Sequence, residues 1–105
     1  MAEETVIHDQ AGKRFCVELS GYEACLMYRR SGKTLDLYHT YVPEIFRGRG
    51  IAEQLCNAAF EHAKANTLTV IPSCSYVSDA YLKRHPEYLP LTTPGPTSNP
   101  LVSGS

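Results

Sequence analysis

Alternation of apolar and polar side chains in the first forty positions is typical of β-strands. Between positions 14 and 19, Phe15, Val17 and Leu19 alternate with polar or smaller residues. Three further segments have the same strand character and are separated by short turns: residues 5–9, 23–30 and 34–42. Four consecutive short strands joined by turns of two to four residues predict an antiparallel meander.

The hydrophobic spacing changes to a helical one after the fourth strand. Between residues 50 and 65, apolar positions recur at intervals of three and four, which predicts a helix with Asn66 as its C-cap in the left-handed conformation. A short β-branched strand over 68–71 follows, and then a second helical segment over 73–85 that must stop near Pro86. Strands four and five should be parallel, so the predicted fold is α/β (α+β) with a mixed sheet.

Length and composition limit the chain to one domain. We place that domain at residues 1–90 and a C-terminal tail at 91–105, because the tail is rich in proline, glycine, serine and threonine and is expected to be mobile beyond about Thr92. The net charge of −1 and a pI near 6.4 argue against binding nucleic acid mainly through phosphates. We expect a monomer.

Neither a membrane span nor a basic leader is evident in the sequence. No apolar run approaches the length that a bilayer requires, and the start is acidic, with Glu3 and Glu4 directly after Met1-Ala2. We therefore expect a cytoplasmic protein that could also enter the nucleus by diffusion. Four cysteines lack any C-x-x-C pair, so we expect reduced, mostly buried thiols with no metal site and no disulfide framework.

The segment between the fourth strand and the first helix predicts an anion site. The strand breaks at Pro43, passes through a glycine-arginine turn and opens into the helix, whose first N–H groups lack acceptors and lie at the positive end of the dipole. Gly48 and Gly50 allow close approach of the backbone to a ligand. Two guanidinium groups, Arg47 and Arg49, suit a diphosphate, so we expect a polyanionic small molecule at residues 47–52.

The motif Arg47-Gly48-Arg49-Gly50-Ile51-Ala52 resembles the pyrophosphate-binding signature of the GNAT N-acetyltransferases, Arg/Gln-x-x-Gly-x-Gly/Ala. The span 33–88, with Cys74-Ser75-Tyr76-Val77 and His85-Pro86-Glu87-Tyr88, is similar to a very small GNAT-like subfamily. The resemblance implies acetyl-CoA or coenzyme A as ligand and a β-sheet with a wedge-like opening, near the end of the fourth strand, for the pantetheine arm. The cofactor-binding residues that it implies, together with the anion site, are Tyr41, Val42, Arg47, Gly48, Arg49, Gly50, Ile51 and Ala52.

Cys74 and His39 are the candidate catalytic residues. Cys74 precedes the second helical segment, where the dipole favours a thiolate, and it should lie at the same sheet edge as the anion site. Strict alternation puts His39 on one face with Leu35, Leu37 and Tyr41. One interpretation is a partly buried, hydrogen-bonded core histidine; the other is a base or orienting partner for Cys74.

The chain offers no evident glutamate as a catalytic base. Glu44 falls in a loop, and Glu53 and Glu61 occupy helix positions that we expect to be solvated. Cys74 as a transient acetyl acceptor is therefore the alternative to direct transfer. Larger members of the family carry a helical segment between their first two strands that shapes the acceptor site, and this chain passes directly from strand to strand.

Three functions are compatible with these features. The first is an acetyl-CoA-dependent N-acetyltransferase that acts on a small amine or a protein lysine. The second is a CoA-binding or regulatory module with little turnover. The third is an adaptor domain in which Arg47 and Arg49 bind an acidic partner.

Overall fold

The computed structural model describes residues 5–46 and 48–93. Five strands form one sheet in the order β1-β2-β3-β4-β5. The first four pair antiparallel and β5 pairs parallel to β4, as the sequence predicts. The strands are β1 (Ile7–Asp9), β2 (Arg14–Leu19), β3 (Tyr22–Ser31), β4 (Thr34–Tyr41) and β5 (Thr69–Ile71).

Helix α1 (Ile51–Ala65) joins β4 to β5 and covers one face of the sheet. Its apolar stripe is fully buried and includes Leu55, Ala59 and Phe60. Asn66 is the C-cap, as predicted, and its N–H donates to the His62 carbonyl. The predicted left-handed conformation is not at Asn66, where φ is −108°, but at the next residue, Thr67, where φ is 56°.

A bulge in β4 changes which side chains face the core. Tyr28 of β3 lies opposite Leu37, whereas Met27 lies opposite His39, so Tyr38 is an extra residue on β4. Before the bulge Leu35 and Leu37 are buried; after it Thr40 is the half-buried residue and His39 is exposed. The prediction that His39 shares a face with Leu35 and Leu37 was therefore wrong, because strict alternation does not continue across an inserted residue.

The second helical segment is mostly a π-helix, Tyr76–Tyr81, followed by a short α2, Leu82–Arg84. The Leu82 N–H donates to the Val77 carbonyl, five residues earlier. The wider turn lets Val77, Tyr81 and Leu82 all pack into the core. The segment ends at His85, just before Pro86, as the sequence predicts.

A 3₁₀ helix, Pro86–Leu91, returns the chain to the sheet. Leu91 packs against the core, Thr92 forms a parallel bridge with Val70, and the Thr93 N–H donates to the Val70 carbonyl at 2.9 Å. The first three residues of the predicted tail thus contact the core or β5. The remainder of that tail, residues 94–105, lies outside the described residues.

Across residues 5–46 and 48–93, no helix has both the length and the apolar character needed to traverse a bilayer.

Candidate active site

Cys74 lies where β4 and β5 part. The parallel pairing runs from Thr34 opposite Thr69 to Asp36 opposite Ile71, and the Cys74 N–H then donates to the Leu37 carbonyl at 2.8 Å. The Cys74 carbonyl accepts from the Val77 N–H at 3.0 Å and from the Ser78 N–H at 3.1 Å, so this residue is bonded to the turn that leads into the π-helix. Ser75 makes no capping bond through its side chain. Cys74 is therefore fixed through its backbone to both the strand and the helix.

The Cys74 thiol contacts Thr40 on β4. The two heavy atoms, Thr40 Oγ1 and Cys74 Sγ, are 3.2 Å apart and share one hydrogen bond. His39, the preceding residue, is exposed and points to the opposite face of the sheet, because successive side chains alternate. The structure thus brings Cys74 to Thr40, and the predicted partnership of Cys74 with His39 has no contact in the described part of the chain.

The turn before α1 has the backbone geometry of an anion site. Gly48 and Gly50 have φ values of 81° and 71°, in the left-handed region that favours glycine. Gly50 is the N-cap and provides no side chain to the first turn; its carbonyl accepts from the Gln54 N–H at 3.1 Å. The N–H groups that follow Gly50, including those of Ile51 and Ala52, have no acceptor within the helix. Partial positive charge accumulates at this end of the 15-residue helix.

Not all of the predicted ligand-binding residues lie at this turn. Arg49 is exposed in the turn itself. Arg47 falls outside the described residues. The Tyr41 side chain is 53% exposed and projects to the same face as His39. A contact between Tyr41 and a ligand in the turn would therefore come from its backbone and not from its ring. Val42 packs against the core beside the turn.

A groove of about 220 Å³ joins the end of β4, the glycine turn, the first turn of α1 and the π-helix. It therefore brings five of the predicted ligand-binding residues together with four that the sequence analysis did not assign to the site. The lining residues are Val42, Phe46, Gly48, Gly50, Ile51, Ala52, Glu53, Tyr76 and Arg84.

Glu53 is the main residue that sequence reasoning missed. It was expected to be solvated, but its carboxylate lines the groove and lies 2.6 Å from His85 Nε2 and 3.5 Å from Arg84 Nη2. Arg84 also donates to the Tyr76 hydroxyl at 3.1 Å. Burial raises the pKa of that hydroxyl above its ordinary value. The sequence feature that could have identified Glu53 is its position in the first turn of the helix that follows the predicted anion site.

A buried thiol on α1 lies within electrostatic range of both Glu53 and Cys74. Cys56, on α1, is fully buried, and burial raises the pKa of its thiol above the ordinary value. Cys74, Glu53 and Arg84 are the ionisable neighbours that act on it. The groove therefore combines the uncapped first turn of α1 with the Glu53 carboxylate, whose hydrogen bond to His85 forms a pair that can hold or pass a proton.

Comparison with known proteins identifies the family of this chain. A family model described as GCN5-related N-acetyltransferase matches residues 14–91, which is most of the chain. The chain belongs to this family.

Curated relatives of this family member share about two fifths of its residues over most of its length. Protein NATD1 of Xenopus tropicalis is 42% identical over 84 residues, covering 77% of this chain and 76% of that protein. Protein NATD1 of Homo sapiens is 39% identical over 84 residues, covering 77% of this chain and 74% of that protein.

A solved structure confirms the fold. The NMR solution structure of a GCN5-like putative N-acetyltransferase from Staphylococcus aureus superposes with a TM-score of 0.67 over 94% of this chain and 97% of the other. The two sequences are 22% identical, so the likeness concerns the fold alone. This likeness confirms the mixed α+β sheet, and the family model and the curated relatives confirm the GNAT resemblance.

Proposed function

We propose that this GCN5-related protein is an acetyl-CoA-dependent N-acetyltransferase that acts on a small amine or a protein lysine. The observation that carries the proposal is the groove that joins Val42 after β4, the glycine turn, the first turn of α1 and Tyr76 of the π-helix. Cys74 lies two residues before Tyr76, where β4 and β5 part. A linear ligand with a diphosphate at one end and a reactive group some distance away fits that layout.

The residues around the groove supply the contacts that coenzyme A needs. Uncapped N–H groups in the first turn of α1 would donate to the diphosphate, with Arg47 and Arg49 adding charge. Backbone groups of Tyr41 and Val42 lie where β4 continues beyond its pairing with β5, and they would pair with the pantetheine amides. Gly48 and Gly50 have nothing within 4 Å of the position that a Cβ would take, so the turn is open to a ligand.

Cys74 is the proposed transient acetyl acceptor. Bound acetyl-CoA would supply an activated acetyl thioester. The Cys74 sulfur would attack the acetyl carbonyl after losing its proton, form a new thioester and release coenzyme A as a thiol. An amine would then attack the acetylated Cys74 and lose a proton, and the Cys74 sulfur would leave.

Two groups compete for the role of base. His39 is the candidate from sequence, but it is exposed on the face away from the thiol. Glu53, hydrogen-bonded to His85 and lining the groove, is the carboxylate that the geometry favours for accepting the proton of the amine.

The test is acetyl transfer by the purified chain to a panel of amines, with intact-protein mass spectrometry after a brief exposure to acetyl-CoA. We expect one acetyl group per chain on the native protein, none on Cys74→Ala, and a loss of amine acetylation of at least about 100-fold in that variant. Unchanged transfer by Cys74→Ala would exclude the covalent route and leave direct transfer.

Substitution of the two candidate bases separates their roles. We expect Glu53→Gln to lower kcat with little effect on coenzyme A binding, and His39→Ala to leave kcat unchanged. The reverse pattern would restore His39 as the base.

A CoA-binding module with little turnover is the second candidate. It is favoured by the direct hairpin from β1 to β2, which leaves no helical segment between Asp9 and Arg14 to shape an acceptor site. Thermal unfolding with and without coenzyme A distinguishes both candidates from an adaptor. A ligand at 100 times its Kd stabilises the folded state by about 2.7 kcal/mol, whereas an adaptor without this site would show no shift.

We also propose an oligomeric state and a location for the chain. We propose a monomer in the cytoplasm, where the four free thiols would stay reduced. Size-exclusion chromatography with light scattering tests the first point, and localisation of a tagged chain tests the second.

A further inference from the structure

Two cysteines lie side by side on neighbouring strands, outside the groove. Cys16 of β2 lies directly opposite Cys25 of β3 in the antiparallel register. Their neighbours Val17 and Ala24 point into the core beneath α1, so both thiols project from the other face of the sheet. Each is nearly buried, with exposed fractions of 6% and 4%.

Glu23 adds a carboxylate to the pair. It lies two residues before Cys25 on β3 and therefore on the same face. One carboxylate oxygen of Glu23 and the two sulfurs all lie within 4.8 Å of one another. In a tetrahedral zinc site, with Zn–S bonds of about 2.3 Å and Zn–O bonds of about 2.1 Å, the ligand atoms are roughly 3.5–3.8 Å apart. Small side-chain rotations would bring the three atoms to those distances.

The charge around the cluster suits a divalent cation bound by two thiolates and a carboxylate. Such a unit carries one net negative charge. Arg14 supplies a compensating positive charge, with Nη1 3.3 Å from Glu23 Oε1 and 3.6 Å from Cys25 Sγ. Asp9 holds the guanidinium in place through Nε at 3.2 Å. An N–H donor beside a metal-bound ligand atom orients that ligand and tunes the metal.

The cluster has a route to solvent. An open cavity of about 480 Å³ is lined by Asp9, Arg14, Cys16 and Glu23, among other residues. A cation could enter there, and a water molecule could occupy a fourth coordination position. Two sulfurs with one carboxylate are the donor set of a borderline-soft cation such as zinc, since calcium and magnesium prefer oxygen ligands.

We propose that Cys16, Glu23 and Cys25 form a binding site for one Zn²⁺ that ties β2 to β3 on the sheet face opposite α1. Binding forms two Zn–S bonds and one Zn–O bond, releases two thiol protons to solvent and changes no oxidation state. The site is separate from the acetyl-transfer groove and does not depend on its function. Sequence spacing does not indicate it, because cross-strand pairing, rather than a C-x-x-C motif, brings the ligands together.

The experiment is titration of the purified, reduced full-length chain with Co²⁺, whose thiolate complexes absorb in the near ultraviolet, followed by displacement with Zn²⁺. We expect one Co²⁺ per chain, loss of the band on addition of Zn²⁺, and loss of the band in Cys16→Ser and in Cys25→Ser. Cys74→Ser is the matched control and should bind Co²⁺ like the native chain.

Glu23→Gln provides a variant that should fold normally, because Glu23 is exposed. We expect it to weaken Co²⁺ binding by about tenfold or more. Absence of a thiolate band in the native chain, its persistence in the Cys16→Ser/Cys25→Ser double variant, or equal affinity in Glu23→Gln would overturn the proposal. Because the readout is spectroscopic, its failure is distinct from any failure of acetyl transfer.

Discussion

Single residues set the conformation of the turn before α1. Gly48 and Gly50 both have positive φ, and a Cβ added at either position would have no atom within 4 Å beyond its immediate chain neighbours. A side chain at these positions would therefore meet backbone strain rather than a steric clash. The turn before α1, where we propose the anion site, depends on glycine for its backbone shape.

Replacement of Gly50 by alanine should destabilise the fold by about 1–2 kcal/mol, because a Cβ in the left-handed region contacts the following carbonyl. Gly50→Asn is the matched variant and should cost less, since asparagine tolerates this conformation. Urea unfolding followed by circular dichroism measures both. Equal losses in the two variants would contradict the backbone explanation.

Tyr81 contacts α1 through both its ring and its hydroxyl. Its ring is fully buried against Phe60, and its hydroxyl donates to Asn57 Oδ1 at 2.5 Å. Burial raises the pKa of this hydroxyl well above its ordinary value. The hydroxyl is therefore a structural donor rather than an accessible acid.

Tyr81→Phe should lower the free energy of unfolding by about 1–3 kcal/mol, because Asn57 loses a partner in a poorly solvated position. The double variant Tyr81→Phe/Asn57→Leu should recover part of the loss. Chemical unfolding of both variants beside the native chain checks this, and a native-like Tyr81→Phe would show that the bond contributes little.

At the scale of elements, sequence pattern predicted the order and type of nearly every strand and helix. Alternation over 14–19 and helical spacing over 50–65 correspond closely to β2 and α1. These segments follow their regular period without interruption, so local pattern and tertiary structure agree.

Two elements departed from prediction because of tertiary packing. Tyr38 is inserted into β4, which no period-2 pattern can indicate, and His39 consequently faces away from the core. The 73–85 segment widens into π-turns that bring Val77, Tyr81 and Leu82 into the core. The glycine turn at 48–50 was predictable because its residues are consecutive, whereas Glu53 with His85 and Cys16 with Cys25 meet only through folding.

The contact of β1 with α1 should depend on pH. His8 of β1 stacks on Phe15, lies edge-on to His62 of α1 and shares a hydrogen bond of 2.7 Å with the Tyr28 hydroxyl. Burial, and secondarily the charge of His62, lower the pKa of His8 below its ordinary 6.5. Burial, and then Arg30, likewise lower the pKa of His62.

The unfolded chain binds protons at these histidines at a higher pH than the folded chain does. Stability should therefore be complete above about pH 7 and should fall as the pH drops through about 6.5 toward the lowered folded values. Urea unfolding between about pH 5.5 and 7.5 measures the slope. His62→Phe should make the slope shallower, and an unaltered slope in that variant would contradict the assignment.

At the scale of the whole molecule, one core joins the sheet, α1 and the C-terminal helices. Phe60 of α1 stacks on Tyr81 at 5.4 Å between ring centroids and on Tyr88 at 5.1 Å. The same cluster reaches Phe15 and Leu26 of the sheet. The chain should therefore unfold as one cooperative unit.

Phe60→Ala should cost about 3–5 kcal/mol, a large part of the stability of a small domain. Lys64→Ala, on the exposed side of the same helix, should change stability by less than about 0.5 kcal/mol. Circular dichroism and tyrosine fluorescence, usable because the chain has no tryptophan, should give coincident transitions. Separate transitions would contradict a single core.

The inserted Tyr38 changes which positions of β4 face the core, from odd-numbered residues before it to even-numbered residues after it. Deleting Tyr38 alone would remove the bulge and keep the other cross-strand pairs, so Thr40 would still face Cys74 and His39 would still point away from it. A homologue that is one residue shorter at this point could therefore present the same side chains beside the Cys74 thiol. An alignment gap here would mark a change in strand geometry and not a change in the chemistry of the site.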